Sequence, residues 1–324
     1  MLRWRRHSGG RRTCAAAFAS GARRSGEVGA VMVLPGGARL DFGAGPLVMA
    51  IVNCNGDSFY PPSRAKGDEA VEKALAAVEA GADIIDIGGE STRPGAAYIS
   101  AGEELDRIIP VIEGLRKHSA APLSVDTRKA AVARAALDAG AGIINDISAL
   151  ADDPEMAELC ASRKAAVVLM HGAAGRLGTG AAGGKPVLDR DIPAGVFSFL
   201  LKAAAAAEGR GIGRESIILD PGIGFGKNTE DNLLILGRLA EICASGYPVL
   251  VGLSRKRFVR ELTGRDAAGA LAGTLAAEAF CALKGASILR VHDTAETVDM
   301  VRVLRGIGGK GTADGVVSAS HFNL

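Results

Sequence analysis

A single-domain TIM (β/α)8 barrel is the fold class this sequence predicts, and three observations predict it. First, three segments repeat one pattern. "EAGADIIDI" from Glu79, "DAGAGIINDI" from Asp138 and "LKGASILRVHD" from Leu283 each end a helix on a glycine and then enter an apolar strand. Glycine ends helices well because a left-handed backbone costs it little. Second, eight short apolar runs alternate with helical stretches over about 270 residues, as in a parallel sheet buried on both faces. Third, 48% of the 324 residues are hydrophobic but only 4% are aromatic. Such a core must come from Ala, Val, Ile and Leu, which suits parallel strands under a layer of helices. An open doubly wound sheet is the alternative, but no G-x-G-x-x-G follows the first strand.

The strands are expected near Leu47–Asn53, Asp83–Ile87, Pro122–Asp126, Gly142–Asp146, Ala165–His171, Ser216–Asp220, Pro248–Leu253 and Ser287–His292. A helical stretch follows each. In the first, Val71, Ala74, Leu75 and Val78 fall at i, i+3, i+4 and i+7 and make one apolar face. The glycine-rich run "GAAGRLGTGAAGGK", residues 172–185, is expected as a mobile insertion with no chemistry of its own.

The barrel is expected over residues 32–310, followed by a flexible tail over 311–324. Residues 1–31 read differently. Seven arginines stand there against the single acid Glu27, which gives this segment +6 of the chain's net +2 and leaves the remainder at −4. A transit peptide has this composition; a disordered extension, or a start placed upstream of a true first residue at Met32, is the preferred reading. The mildly acidic remainder offers no broad basic face for nucleic acid. No apolar run reaches the roughly 18 residues of a membrane span. The five cysteines are dispersed without C-x-x-C spacing, which excludes a disulfide framework or zinc site and points to a reducing cytoplasm.

A barrel of this class carries its active site where the strands end. Here those ends bear Asn53, Asp86, Asp126, Asn145 with Asp146, His171, Asp220, Ser254-Arg255-Lys256, and Arg290 with His292. One Asp after a strand is ordinarily a helix cap. Seven or more of eight strands ending in polar side chains exceeds what capping needs, so these groups are expected to converge in one mouth. Arg290 and His292 are two apart on a strand and so expected on one side of it. A guanidinium grips phosphate oxygens bidentately and a histidine can donate to another.

The segments "DIIDIGGESTRPG", "SVDTRKAAVARAALDAGAGIINDIS", "VVLMHG", "IILDPGIGFGKNTEDNLLIL", "VLVGLSRKRF" and "ILRVHDTAETV" resemble the dihydropteroate synthase family closely and in the family's order, over about Leu47 to Gly306. The resemblance implies condensation of 6-hydroxymethyl-7,8-dihydropterin diphosphate with p-aminobenzoate to 7,8-dihydropteroate and pyrophosphate, by early departure of the diphosphate. It implies Asp126, Asn145, Asp220 and Lys256 as pterin contacts. Asn53, Thr92, Arg290, Val291 and His292 are implied for the diphosphate, with Asn53, Lys256, Arg290 and His292 as the catalytic set. Asn53 is also implied as a ligand to Mg²⁺. Asp57, Phe59, Arg93, Pro94 and Phe225 are implied around p-aminobenzoate, with Asp57 and Phe59 on a lid. The family also suggests a homodimer. Asp86 and Asp146 are read as structural, and Cys54 as a small core residue rather than a nucleophile.

The chain departs from the family in "NCNGDSFYPPSR". Asn55-Gly56 stands where members commonly carry Thr-Pro, and Tyr60-Pro61-Pro62 where they carry small residues and glycine. Glycine loosens one side of that loop and the prolines stiffen the other. Two rivals remain from the sequence. One is a methyltetrahydrofolate–corrinoid methyltransferase of the same fold, against which the phosphate-gripping "LSRKRF" and "RVHD" segments speak. The other is a non-catalytic pterin-binding paralogue, against which the retained Asn53, Arg290 and His292 speak.

Overall fold

The computed structural model describes residues 31–54, 63–91, 98–172 and 191–310. The basic extension, the tail and nearly all of the glycine-rich run lie outside these residues. So do Asp57, Phe59, Thr92, Arg93 and Pro94.

Two short strands, β1 (Val31–Val33) and β2 (Arg39–Asp41), form an antiparallel hairpin. Eight parallel strands follow: β3 (Leu47–Asn53), β4 (Ile84–Gly88), β5 (Leu123–Asp126), β6 (Ile143–Asp146), β7 (Ala166–Met170), β8 (Ile217–Asp220), β9 (Leu250–Gly252) and β10 (Ile288–Val291). They pair in the order β8-β7-β6-β5-β4-β3-β10-β9. A bridge between Leu219 and Val249, with the Leu219 N–H donating to the Pro248 carbonyl at 2.9 Å, joins β8 to the entry of β9 and closes the barrel. All eight expected strands are present, most trimmed by a residue or two. Pro248 has no N–H to give a ladder, so β9 starts beyond it.

The outer layer comprises α1 (Ser63–Glu79), α2 (Ala101–Arg116), α3 (Ala130–Asp138), α4 (Met156–Arg163), α5 (Ile192–Gly209), α6 (Thr229–Gly237), α7 (Leu239–Cys243), α8 (Arg257–Thr263), α9 (Leu271–Leu283) and α10 (Thr294–Lys310). The three repeat glycines do what the pattern required: Gly81, Gly140 and Gly285 have φ of +97°, +109° and +98°. On α1 the expected face packs inward, with Ala74 fully buried and Val71, Leu75 and Val78 half-buried against it. Helix α5 is long and apolar enough to cross a membrane by length and composition. Here it lies on the barrel, with Val196, Phe197, Leu200, Ala204 and Ala207 in the core. The four described cysteines, Cys54, Cys160, Cys243 and Cys281, are unpaired thiols.

The hairpin was not legible in the sequence. Its Met32, Leu34, Leu40 and Phe42 are buried against Met49, Ile84, Ile143, Val168, Ile218, Leu250 and Ile288. They plug the end of the barrel where the strands begin. Val31, one residue before the expected boundary, already belongs to this hairpin, where it pairs with Asp41.

Candidate active site at the mouth of the barrel

Side chains alternate along a strand, so every second residue faces the barrel interior. Ile84, Ile143, Ile218 and Ile288 meet the hairpin at the bottom. Two residues further on, the same inward positions are Asp86, Asn145, Asp220 and Arg290. The interior is thus apolar below and ionic above, and the change occurs within single short strands.

Arg290 organises the ionic layer. Its Nε donates to Asp86 Oδ2 at 2.6 Å and its Nη2 to Asp126 Oδ2 at 2.8 Å. Asp86 is fully buried and Asp126 nearly so. Burial works against the Arg290 charge, but the attraction of Asp86 and Asp126 outweighs it and holds the guanidinium above its ordinary pKa. Asn145 Nδ2 donates to the same Asp86 oxygen at 3.3 Å. Burial pushes Asp126 up to about 7 against the pull of Arg290. Asp220, also deep, is raised by burial, with Lys256 and the Gly222 N–H opposing.

The loop after β8 supplies one wall. Asp220 Oδ1 accepts from the Gly222 N–H at 2.7 Å and so turns the chain back over the strand end. Gly222 has φ +65°, and a Cβ there would sit 2.1 Å from the His171 carbonyl oxygen. No other residue fits. Lys227 ties this loop down, with Nζ donating to the carbonyls of His171, Gly222 and Phe225 at 3.0, 2.9 and 3.1 Å. Lys256, on the loop after β9, donates to the Ile223 carbonyl and lies 4.9 Å over the Phe225 ring. Burial lowers both Lys227 and Lys256 to about 8, and attraction to Asp220 resists the change in each.

His292 follows the last residue of β10 and is exposed. Its N–H donates to Ser254 Oγ at 3.3 Å, and its Nδ1 lies 3.1 Å from the same oxygen. Beside it, Arg255 and Asp293 form a two-point ion pair through Nε at 2.9 Å and Nη2 at 2.5 Å. The ends of β9 and β10 are therefore stapled together, which places Lys256 and His292 on one rim. The Val291 side chain is buried in the outer core, so only its backbone faces the mouth. Asn53 ends β3, exposed, opposite Gly88 in register. Gly88 in turn pairs with Asp126.

The structure thus brings together Asn53, Asp126, Asn145, Asp220, Phe225, Lys256, Arg290 and His292. Asp146 is elsewhere: it points outward and accepts the N–H groups of Ser148 and Leu150 at 2.7 and 3.0 Å, shaping a turn as the sequence suggested. Asp86, read as structural, is fully buried and braces two site residues, Arg290 and Asn145, directly. His171 leaves the cluster, its ring packed edge-on against Phe199, and burial holds it down at about 4. Three features escaped the sequence reading: Lys227, the Ser254 contact to His292, and the buried triad in which Lys129 Nζ donates to Glu90 and to Glu104 at 2.5 Å. Alternation marks Asp86 as inward only once Ile84 is known to face the barrel interior. Nothing local marked Lys227, a lone lysine in a glycine-rich loop.

Among the described residues, no group of three or more His, Cys, Asp or Glu is arranged to hold a metal ion. A divalent cation here would take one neutral oxygen, from Asn53, and the rest of its ligands from a phosphorylated substrate and water. Mg²⁺ accepts such an arrangement.

The profile of the family described as pterin binding enzyme matches residues 49–292. The dihydropteroate synthase of Escherichia coli K12 is 42% identical over 266 residues, covering 80% of this chain and 90% of that protein. A probable bifunctional folylpolyglutamate synthase/dihydropteroate synthase of Haloferax volcanii is 45% identical over 260 residues; the match spans 80% of this chain but only 30% of that longer protein. The structure of Xanthomonas albilineans dihydropteroate synthase with 4-aminobenzoic acid superposes with a TM-score of 0.78 at 44% identity, over 86% of this chain and 98% of that one.

Proposed function

Because the chain belongs to the pterin binding enzyme family, we propose that it is a transferase that condenses 6-hydroxymethyl-7,8-dihydropterin diphosphate with p-aminobenzoate, releasing 7,8-dihydropteroate and pyrophosphate. The observation that carries this reading is the ionic layer at the mouth, where two carboxylates and an amide cluster about the half-buried Arg290. A pterin edge offers N–H and amino donors beside ring acceptors. Asp126 and Asp220 accept such donors, Asn145 pairs with a mixed edge, and Lys256 donates to the ring carbonyl or nitrogen. Arg290 and His292 lie on the rim side of that pocket and take the diphosphate.

The bond from the pterin methylene to the diphosphate oxygen breaks with its electron pair leaving on oxygen. Arg290 and His292 stabilise that developing charge, while Asp126 and Asp220 favour the cationic pterin left behind. The lone pair of the arylamine then forms the C–N bond, and its surplus proton passes to solvent. The amine is already neutral at pH 7, so the chain supplies positioning and charge rather than a strong base. Mg²⁺, when bound, would neutralise the diphosphate, and Asn53 would hold it through its neutral oxygen. Phe225, under Lys256, forms the floor towards the second substrate.

A homodimer is part of the proposal. A cavity of about 380 Å³ between α6, α8 and α9 is lined by Leu233, Phe258, Leu262 and Phe280. Leu262 is 61% exposed and Phe280 42%, and an apolar face of this kind suits a second copy of the chain. A cytoplasmic location fits the unpaired thiols. Incubation of the purified protein with the pterin diphosphate, Mg²⁺ and labelled p-aminobenzoate should yield labelled dihydropteroate. Absence of that product with a folded protein would overturn the reading.

A further inference from the structure

Asp86 sits in the middle of β4 with no exposed surface. Gly88 and Asp126 are level in register, and Asp86 is level with Ser124, so the carboxylate lies one layer below the pocket. It is too deep to be the wall a substrate meets. Yet one of its oxygens accepts from Arg290 Nε at 2.6 Å and from Asn145 Nδ2 at 3.3 Å. Its other oxygen is buried with no hydrogen-bond partner. A fully buried carboxylate left half-paired is costly, and such departures from good packing concentrate where function requires them.

We propose that Asp86 is a positioning residue that holds the diphosphate arginine and the pterin amide in one frame. This rests on the roles given above to Arg290 and Asn145. Arginine has several rotatable bonds and gives up rotamer freedom when it is fixed. Asp86 fixes it through Nε, at the base of the guanidinium, and takes neither of the two outer nitrogens. Asp126 holds only Nη2 and stands nearer the rim, where a pterin competes for it. Asp86 also decides which end of the Asn145 amide faces up. A carboxylate only accepts, so it selects the NH₂ end and presents Oδ1 to the donors of the pterin edge. One side chain thus sets both the anion grip and the polarity of the pterin contact.

The test is a double-mutant cycle of D86N and R290K, read as kcat/KM for the pterin diphosphate, with circular dichroism melts as the folding check. Each single variant should lose about 10- to 100-fold, as misplacement by about 1 Å commonly does. If Asp86 acts through Arg290, the double variant falls no more than ~3-fold below the worse single variant, because neighbours in one network are not additive. Multiplicative losses, or wild-type kcat/KM in D86N beside an impaired R290K, would overturn the inference alone. Wild-type kcat/KM in R290K would overturn the assignment of Arg290 and this inference with it. A second measurement does not need D86N to fold. In ¹⁵N-arginine-labelled protein, the Nε–H resonance absent from R290K should exchange slowly with solvent and stay slow when pyrophosphate is added. Exchange as fast as that of exposed arginines would overturn the inference even where D86N fails to fold.

Discussion

Gly222→Ala is a small change with a large expected effect. Two costs apply. The residue sits at φ +65°, where a Cβ costs about 1–2 kcal/mol. The new Cβ would also lie 2.1 Å from the His171 carbonyl oxygen, a gap that must open to at least 3.0 Å, a shift of about 0.9 Å. That shift separates His171 and Gly222, two of the three carbonyls that Lys227 holds together. It also moves Ile223, whose carbonyl holds Lys256. A displacement near 1 Å in positioning groups costs about 100-fold in rate, so kcat/KM for the pterin diphosphate should fall about 100-fold. Gly264→Ala is the control, because Gly264 has φ +66° but nothing within 4 Å of its Cβ position. It carries the backbone cost without the clash, so its melting temperature should drop by a few degrees while its kcat/KM stays at wild type. Steady-state kinetics, pterin calorimetry and melts on the two variants separate the effects. If Gly222→Ala keeps wild-type kcat/KM and pterin affinity, the loop after β8 is not part of the site and the reasoning fails.

Protonation should shape the rate. With Asp126 up at about 7 and Lys256 down at about 8, kcat/KM should follow a narrow bell, and D126N should lose its acid limb; an unchanged acid limb would remove Asp126 from the assignment. For stability the sign is fixed by the folded state holding the Asp126 proton longer than the unfolded chain. The contribution is therefore greatest below about 4 and declines as pH rises to about 7, a decline that melts of D126N across this window should lack. Removing residues 1–30 should leave melting and turnover unchanged. Removing 1–43 strips Met32, Leu34, Leu40 and Phe42 from the core at about 1.5–3 kcal/mol each, comparable to the whole stability of a domain, and a soluble, active product would refute the role given to the hairpin. Leu262→Glu should convert a sedimenting dimer to monomer, and an unchanged sedimentation coefficient would move the interface elsewhere.

The parts of this fold that were legible in the sequence are those where local chemistry and tertiary structure agree. Gly81, Gly140 and Gly285 announce three helix ends because positive φ is a local demand, and the strands announce themselves because burial on both faces makes their first residues continuously apolar, with polar side chains reserved for the ends that form the mouth. The hairpin was hidden because three-residue strands carry no usable period; Met32 and Leu40 are buried only because the barrel above them has an open end to fill. The site was legible as a set of strand ends but not as a network. Asp86 and Asp146 look alike in "IIDI" and "IINDI", each a carboxylate after two isoleucines or close to it. What separates them is one residue of register: Asp86 follows Ile84 by two and faces in, whereas Asp146 follows Ile144 by two and faces out, towards the turn it caps. The alternation rule distinguishes them once a single inward residue is known. Only closure of the barrel supplies that residue, because Ile84 and Ile144 are equally apolar and both fully buried. Arg290 makes the same point from the other side. Its charge in a buried strand required a partner, but the sequence offered a substrate phosphate for that role and not Asp86, 204 positions away. If Arg290 grips the diphosphate as proposed, the carboxylates that hold it, Asp86 and Asp126, also aim it, and affinity for the diphosphate then depends on what lies beneath the guanidinium as well as on what lies in front of it.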